Sequence, residues 1–155
     1  MVKQEEFHKK LQKYSVGIAG LGGLGSNAAI SLARAGIGKL ILIDYDTIEK
    51  TNLNRQYYFL NQIGQNKTDA LNENIKKINP KINIEIHNEK LNKENISNFF
   101  KDVDIIIEAL DDAETKTVFI EEIQQKLPNT PIIAASGVTG YGNNQRIKTK
   151  KLGDL

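Results

Sequence analysis

Between Gly20 and Gly25 the chain reads Gly-Leu-Gly-Gly-Leu-Gly, a GxGxxG turn set between a short apolar run and an alanine-rich stretch. The apolar run, Ser15 to Gly20 (SVGIAG), is a candidate buried strand. Gly25 to Ala35 carries Ile30 and Leu32 among alanines, which predicts a helix packed closely on a sheet and ended by Gly36 and Gly38. Glycine permits the tight strand-to-helix turn and lets the backbone approach a phosphate, while the helix N-terminus favours the anion. A second apolar run, Lys39 to Asp44 (KLILID), ends on an acid about 20 residues past the last glycine, suited to accept a ribose hydroxyl. Strand, turn, helix, strand and acid in this order predict a nucleotide site built from Gly20, Gly22, Gly23, Gly25 and Asp44. The motif alone leaves NAD, FAD and ATP open, and a turn that binds nothing stays its bland alternative.

The rest of the chain keeps the same rhythm. A short amphipathic helix is expected over Val2 to Lys13, and a mostly irregular segment over Thr51 to Gly64. Leu71, Ile75 and Ile78 predict a helix over Asn66 to Asn79, stopped by Pro80. The alternation of Ile82, Ile84 and Ile86 predicts a third strand. A short helix at Lys93–Phe100, a strand at Val103–Ala109, a helix at Ala113–Leu127 and a strand at Pro131–Ser136 follow, with a candidate edge strand at Gln145–Lys150. Strands alternating with helices imply a doubly wound, mostly parallel α/β sheet of Rossmann type with helices on both faces. No repeat or linker divides residues 1–155, which read as one domain, and the abrupt end at Leu155 makes C-terminal truncation a candidate.

Composition narrows the function. Twenty-one Lys and Arg against nineteen acids give a net charge of +2, too little for a broad nucleic-acid footprint or attraction to a membrane surface. No apolar run approaches the roughly 20 residues a membrane-spanning helix needs. The charged start, Met1 to Tyr14, lacks the apolar core of a signal peptide, so a cytoplasmic protein is expected. There is no cysteine, which excludes a disulfide framework, a cysteine-based zinc site and a cysteine nucleophile within this chain. His8 and His87 are assigned to structure or surface.

Two polar segments follow strand ends, where open α/β sheets bind ligands. In Thr51-Asn52-Leu53-Asn54-Arg55-Gln56, the side chains of Asn52, Arg55 and Gln56 offer donors to phosphate oxygens, Arg55 in bidentate fashion. Lys67 falls in the first turn of a predicted helix, where a cation opposes the helix dipole unless a phosphate lies nearby. An ordinary surface lysine balanced by Asp69 or solvent is its alternative. Asp111-Asp112 lies just past the fourth strand, on the expected edge of the glycine turn. Asp111 there could hold magnesium between phosphates, since magnesium takes few protein oxygens. Its alternative is a helix cap, because Asp111-x-x-Glu114 resembles a capping box.

GLGGLGS at Gly20–Ser26, LIDYD at Leu42–Asp46 and NLNRQ at Asn52–Gln56 together resemble the ThiF/MoeB/HesA family, relatives of the ubiquitin-activating enzymes. EALDDAETK at Glu108–Lys116 and SGVTGYG at Ser136–Gly142 are most similar to its short ThiF-type members. The resemblance runs from about Ser15 to Lys151 and implies a Rossmann-like homodimer that uses MgATP to adenylate the C-terminal Gly-Gly carboxylate of a ubiquitin-like sulfur carrier, ThiS-like or MoaD-like. It further implies that the glycine turn receives ATP, that Asp44 holds the ribose, and that Asn52, Arg55, Gln56 and Lys67 contact the phosphates. Asp111 falls at the position that coordinates magnesium, with Asp111, Arg55 and Lys67 as the catalytic set.

The chain departs from that pattern in two ways. It lacks the cysteine of the crossover loop and the two CxxC zinc pairs that many relatives carry, and its N-terminal segment offers Lys3, Lys9, Lys10 and Lys13 where many have an arginine that reaches the neighbouring subunit. A branch of the same family activates a carboxylate on a modified tRNA base, against which the near-neutral charge argues mildly. An NAD(P)-dependent oxidoreductase would share the glycine fingerprint and Asp44, but the chain has no Tyr-x-x-x-Lys pair. A nucleotide-binding protein without catalysis is the remaining alternative.

Overall fold

Among the described residues, the alternation of apolar runs and helical periods folds as a five-stranded, wholly parallel sheet in the order β3-β2-β1-β4-β5. The computed structural model describes residues 4–134. The strands are β1 (Ser15–Ala19), β2 (Lys39–Ile43), β3 (Asn83–His87), β4 (Ile105–Glu108) and β5 (Ile132–Ala134), and the α-helices are α1 (Gln4–Leu11), α2 (Gly25–Ala35), α3 (Lys67–Ile78), α4 (Ile96–Phe100) and α5 (Ala113–Lys126). The expected doubly wound Rossmann-like α/β fold is what the chain adopts. Thr51–Gly64, expected to be irregular, is entered by one 3-10 turn at Lys50–Asn52 and holds a second at Leu60–Gln62. The SGVTGYG segment, the candidate strand at Gln145–Lys150 and the end at Leu155 lie outside the described residues.

Strand β2 shows how the two faces are covered. Leu40 and Leu42 pack with Ala29, Ile30 and Ala33 of α2 and Ala70, Leu71 and Ile75 of α3. Ile41 and Ile43 point the other way, to Ile96 and Phe100 of α4 and Phe119 and Ile123 of α5. All four strand residues are at most 1% exposed, so each contributes roughly 1.5–3 kcal/mol relative to an exposed side chain. Both faces being buried explains why β2 reads as a continuous apolar run without alternation. The rings of Phe100 and Phe119 meet edge to face at 5.2 Å, locking α4 to α5. No helix of the described residues is long and apolar enough to cross a membrane.

Register places the chemistry. Ala19, the last residue of β1, is opposite Ile43 of β2 and Glu108 of β4, and Ile43 is opposite His87 of β3. Four strands therefore end at one level, and the residues that follow them meet along a single edge. The strand order reverses at β1, so a crevice opens between the connections that leave β1 and β4.

Candidate active site

The first wall of that crevice is the glycine turn. Gly20 has a φ of +86° and lies against the chain leaving β4, where a Cβ would stand 2.8 Å from the Ala109 carbonyl oxygen. Gly25 opens α2 so close to Gly20 that a Cβ there would lie 1.8 Å from the Gly20 carbonyl oxygen. These two glycines are demanded by the turn itself. Gly22 and Gly23 are different. A Cβ on them would make only van der Waals contact, at 3.8 Å from Gln56 Nε2 and 3.4 Å from Arg55 Cγ. Their smallness leaves the backbone open to a ligand.

Asp44 ties this turn to the end of β2. Its carboxylate accepts the Leu21 N–H at 2.6 Å and the Asp46 N–H at 2.8 Å. Burial pushes its pKa above the ordinary value, while the Asp46 and Leu21 amides and the nearby Lys67 pull the other way. Each oxygen thus holds one backbone donor and keeps further acceptor capacity for a hydroxyl.

The Asn52–Gln56 loop is lashed onto the turn. Ser26 Oγ donates to the Gly22 carbonyl at 2.6 Å and accepts the Tyr57 N–H at 3.0 Å. Asn27 Nδ2 donates to the carbonyls of Gly23 and Arg55, at 2.7 and 2.9 Å. The Tyr58 hydroxyl donates to the Leu21 carbonyl at 2.8 Å. None of these was singled out from sequence. Ser26 was visible only as the last letter of GLGGLGS, and the Tyr58 contact has no local signal.

The expected phosphate ligands occupy distinct environments. Arg55 is exposed, with Nη1 donating to the Thr51 carbonyl at 3.2 Å and Asn54 Oδ1 at 3.0 Å. Gln56 is buried beside Gly22, and its Oε1 is a buried acceptor with no partner among the described residues. Asn52 Oδ1 accepts the Glu49 N–H at 2.9 Å. Lys67 is no ordinary surface lysine. Its side chain is 7% exposed and its ammonium sits 2.6 Å from Asp46 Oδ2, while Asp69 instead accepts from Asn66. Asp46, Thr47, Glu49, Asn52 and Lys67 line one polar cleft of about 190 Å³.

Asp111 stands across the crevice on the same edge. The helix cap that stands as its alternative belongs to its neighbour: Asp112 accepts the Thr115 N–H at 2.7 Å and the Thr115 hydroxyl at 2.6 Å. Helix α5 starts at Ala113, where the sequence predicts it, which makes Asp112 the residue before the first turn. Those hydrogen bonds hold the Asp112 carboxyl below its ordinary range, with Lys90 adding to the effect. Asp111 is exposed and its carboxylate makes no hydrogen bond or ion pair among the described residues, so no such contact joins it to Arg55 or Lys67. Beneath it, Glu108 and Lys116, the two ends of the EALDDAETK segment, form an ion pair for which the sequence carries no local signal.

His87 and His8 hold structural positions. The His87 ring packs on Phe99 with centroids 4.3 Å apart and contacts Glu85 Oε1 at 2.8 Å. His8 Nδ1 would stand 2.9 Å from a Cβ placed on Gly36.

This geometry, a glycine turn opposed by a buried acid with cationic and amide donors beside it and a carboxylate across the crevice, agrees with what comparison shows. The profile of the ThiF family matches residues 1–153. The chain belongs to the ThiF family. It is 40% identical over 124 residues to ubiquitin-like modifier-activating enzyme 5 of Dictyostelium discoideum, a stretch that is 71% of this chain and 32% of that protein. The enzyme of the same name from Arabidopsis thaliana is 45% identical over 78 residues, 50% of this chain and 18% of the relative. The chain thus spans about a third or less of the length of these curated relatives. Among solved structures, the tRNA N6-threonylcarbamoyladenosine dehydratase TcdA of E. coli in complex with ATP superposes with a TM-score of 0.83 at 27% identity, covering 93% of this chain and 59% of TcdA. E. coli MccB with ATP gives 0.74 at 31% identity, covering 84% of this chain and 38% of MccB.

Proposed function

We propose that this ThiF-family chain is an adenylyltransferase that activates the C-terminal carboxylate of a small ubiquitin-like protein with ATP. The observation that carries the reading is the pairing of an open glycine backbone at Gly22 and Gly23 with the Gln56 Nε2 donor beside Gly22 and the buried cation Lys67, near the ends of β1 and β2. That donor set suits a nucleotide with several phosphates. Relatives of similar fold bind ATP, as TcdA and MccB do.

On this reading Gly20, Gly22, Gly23 and Gly25 shape the phosphate turn and Asp44 takes the ribose. Asn52, Arg55, Gln56 and Lys67 contact the phosphates. The incoming carboxylate is ionised near neutral pH, with an ordinary pKa of about 3.3–3.7, so it needs no base. One of its oxygens bonds to the α-phosphorus, the bond from that phosphorus to the bridging oxygen breaks, and pyrophosphate leaves with the electron pair. The residues' work is to align two anions and offset their charge. Asp111, an exposed carboxylate with no hydrogen bond or ion pair among the described residues, would hold magnesium, which would supply further charge neutralisation at the phosphates. Arg55, already resting on Gly23, needs only to leave its Thr51 and Asn54 acceptors to reach them.

The finer assignment, a ThiS-like sulfur carrier, is supported by the resemblance of EALDDAETK and SGVTGYG to short ThiF-type proteins. A MoaD-like carrier would use the same chemistry, and a homodimer is supported by the same resemblance. The fold likeness to TcdA favours a second reading in which the acceptor carboxylate sits on a modified tRNA base. Thermal shift with ATP and with NAD tests the nucleotide class, because a ligand that binds only the native state raises its stability. ATP should raise the melting temperature and NAD should not. A shift with NAD alone would overturn the reading.

A further inference from the structure

We propose that Glu108 is a positioning residue that fixes where Asp111 stands over the glycine turn, with Lys116 holding its carboxylate in place. The inference rests on the adenylation reading and deepens it.

Glu108 ends β4 and is fully buried. Its Oε1 accepts the Leu110 N–H at 2.8 Å, and Lys116 Nζ on the first turns of α5 reaches both oxygens, at 2.7 and 2.5 Å. The preceding residue is clamped from the other side: the Ala109 N–H donates to the Ala19 carbonyl at 2.9 Å. The Ala109 carbonyl is also the group that Gly20 approaches so closely. Asp112 is fixed in turn by Thr115. Asp111 is therefore an exposed carboxylate held between two anchored neighbours, and the anchor on its strand side is a single buried carboxylate.

Magnitudes favour a positioning role over a stabilising one. Removing two charges from water costs about as much as their attraction returns, so a buried ion pair is poor evidence of stability. What the pair supplies is geometry. Lys116 belongs to the helix that Asp112 caps, so the ion pair ties the end of the strand to the start of that helix and sets the length of the turn between them.

Two double variants test the effect, since each removes both charges of the pair and leaves neither buried alone. Glu108→Leu/Lys116→Met also removes the acceptor for Leu110. Glu108→Gln/Lys116→Met keeps an oxygen there. In the full chain, amide hydrogen exchange at Leu110 should quicken roughly ten- to a hundredfold in the leucine variant, the equivalent of a hydrogen bond to a charged acceptor. It should stay closer to wild type in the glutamine variant, with exchange at Ile18 of β1 unchanged in both. In carrier-dependent ATP–pyrophosphate exchange, the leucine variant should lose about a hundredfold in kcat, the scale of a 1 Å misplacement, with KM for ATP nearly unchanged. The glutamine variant should recover part of that loss. Unchanged exchange at Leu110 in the leucine variant would overturn the claim that Glu108 holds the turn. Quickened exchange with wild-type kcat would overturn its role in positioning Asp111. A wild-type chain inactive with every carrier would overturn the adenylation reading instead, while the amide measurement would still decide the clamp.

Discussion

The Lys67 ammonium lies 2.6 Å from Asp46 Oδ2, with the lysine side chain 7% exposed and the aspartate 47% exposed. The same two residues are joined again through the backbone, where the Lys67 N–H donates to the Asp46 carbonyl at 3.0 Å. The asymmetry in exposure has a consequence. Asp46→Ala leaves a buried ammonium unpaired, whereas Lys67→Met leaves a carboxylate that water can reach. Asp46→Ala should therefore be the more destabilising change, by about 1–3 kcal/mol in urea unfolding, with the larger share recovered when ATP supplies a replacement anion. Equal losses, or no recovery with ATP, would show that Lys67 does not face the phosphates.

Glycines required by the turn separate from glycines that the adenylation reading assigns to the ligand. Gly25→Ala drives a Cβ to 1.8 Å from a backbone oxygen, so the chain should lose its cooperative thermal transition or melt far lower. Gly22→Ala meets nothing nearer than 3.8 Å and should melt like wild type while binding ATP at least tenfold more weakly, about 1.4 kcal/mol. Calorimetry alongside ATP titration distinguishes the two.

The lashing of the Asn52–Gln56 loop makes its own prediction. Ser26→Ala removes the acceptor of the Tyr57 N–H and the donor to the Gly22 carbonyl, and Tyr58→Phe removes the donor to Leu21. Ser26 is fully buried, so its loss should cost about 1–3 kcal/mol and that of the Tyr58 hydroxyl about 1 kcal/mol, measured by urea unfolding. Both should weaken ATP binding, because the glycine turn and the polar loop would no longer move as one unit.

These lashings mark where the sequence stops being legible. The fold was readable because each signal was local. Glycines bracket α2, whose bounds, Gly25–Ala35, match the expected ones, and the run KLILI is apolar throughout because both its faces are covered. The order of strand, turn, helix and acid likewise announced Asp44. The Lys67–Asp46 pair, by contrast, joins residues 21 apart through a loop without period, so the sequence offered only Asp69 as a nearby counterion. The cap falls on Asp112 although the capping-box pattern, Asp111-x-x-Glu114, points to its neighbour, because the helix starts at Ala113, where the sequence placed it, and Thr115 rather than a glutamate supplies the partner. Glu108 was hidden for a different reason: a glutamate ending a strand looks solvent-facing until the ion pair across to α5 is seen.

Acid should expose two carboxyls of opposite sign. Ser15 donates to Asp104 through its backbone N–H and its hydroxyl, each at 2.7 Å, and holds the Asp104 carboxyl below its ordinary value of 3.8. A lowered folded pKa gives stability that is present above the unfolded value and lost as the pH falls through the folded one. Asp44 lies above its ordinary value of 3.8 because it is buried, so its contribution falls as the pH rises from the unfolded value through the folded one. Urea midpoints taken from acid to neutral pH should show Asp104→Asn weakening the protein at neutral pH and converging with wild type in acid. A gap that stays constant across the range would contradict the assignment.

The central claim is tested most directly by ATP–pyrophosphate exchange with ThiS-like and MoaD-like carriers added separately and Asp111→Asn as control. The account predicts exchange that requires a carrier with a free C-terminal carboxylate and falls by about 10²–10³ in the variant, the scale seen when one group stabilising transition-state charge is removed. Exchange that proceeds equally without any carrier, or that survives intact in Asp111→Asn, would contradict it.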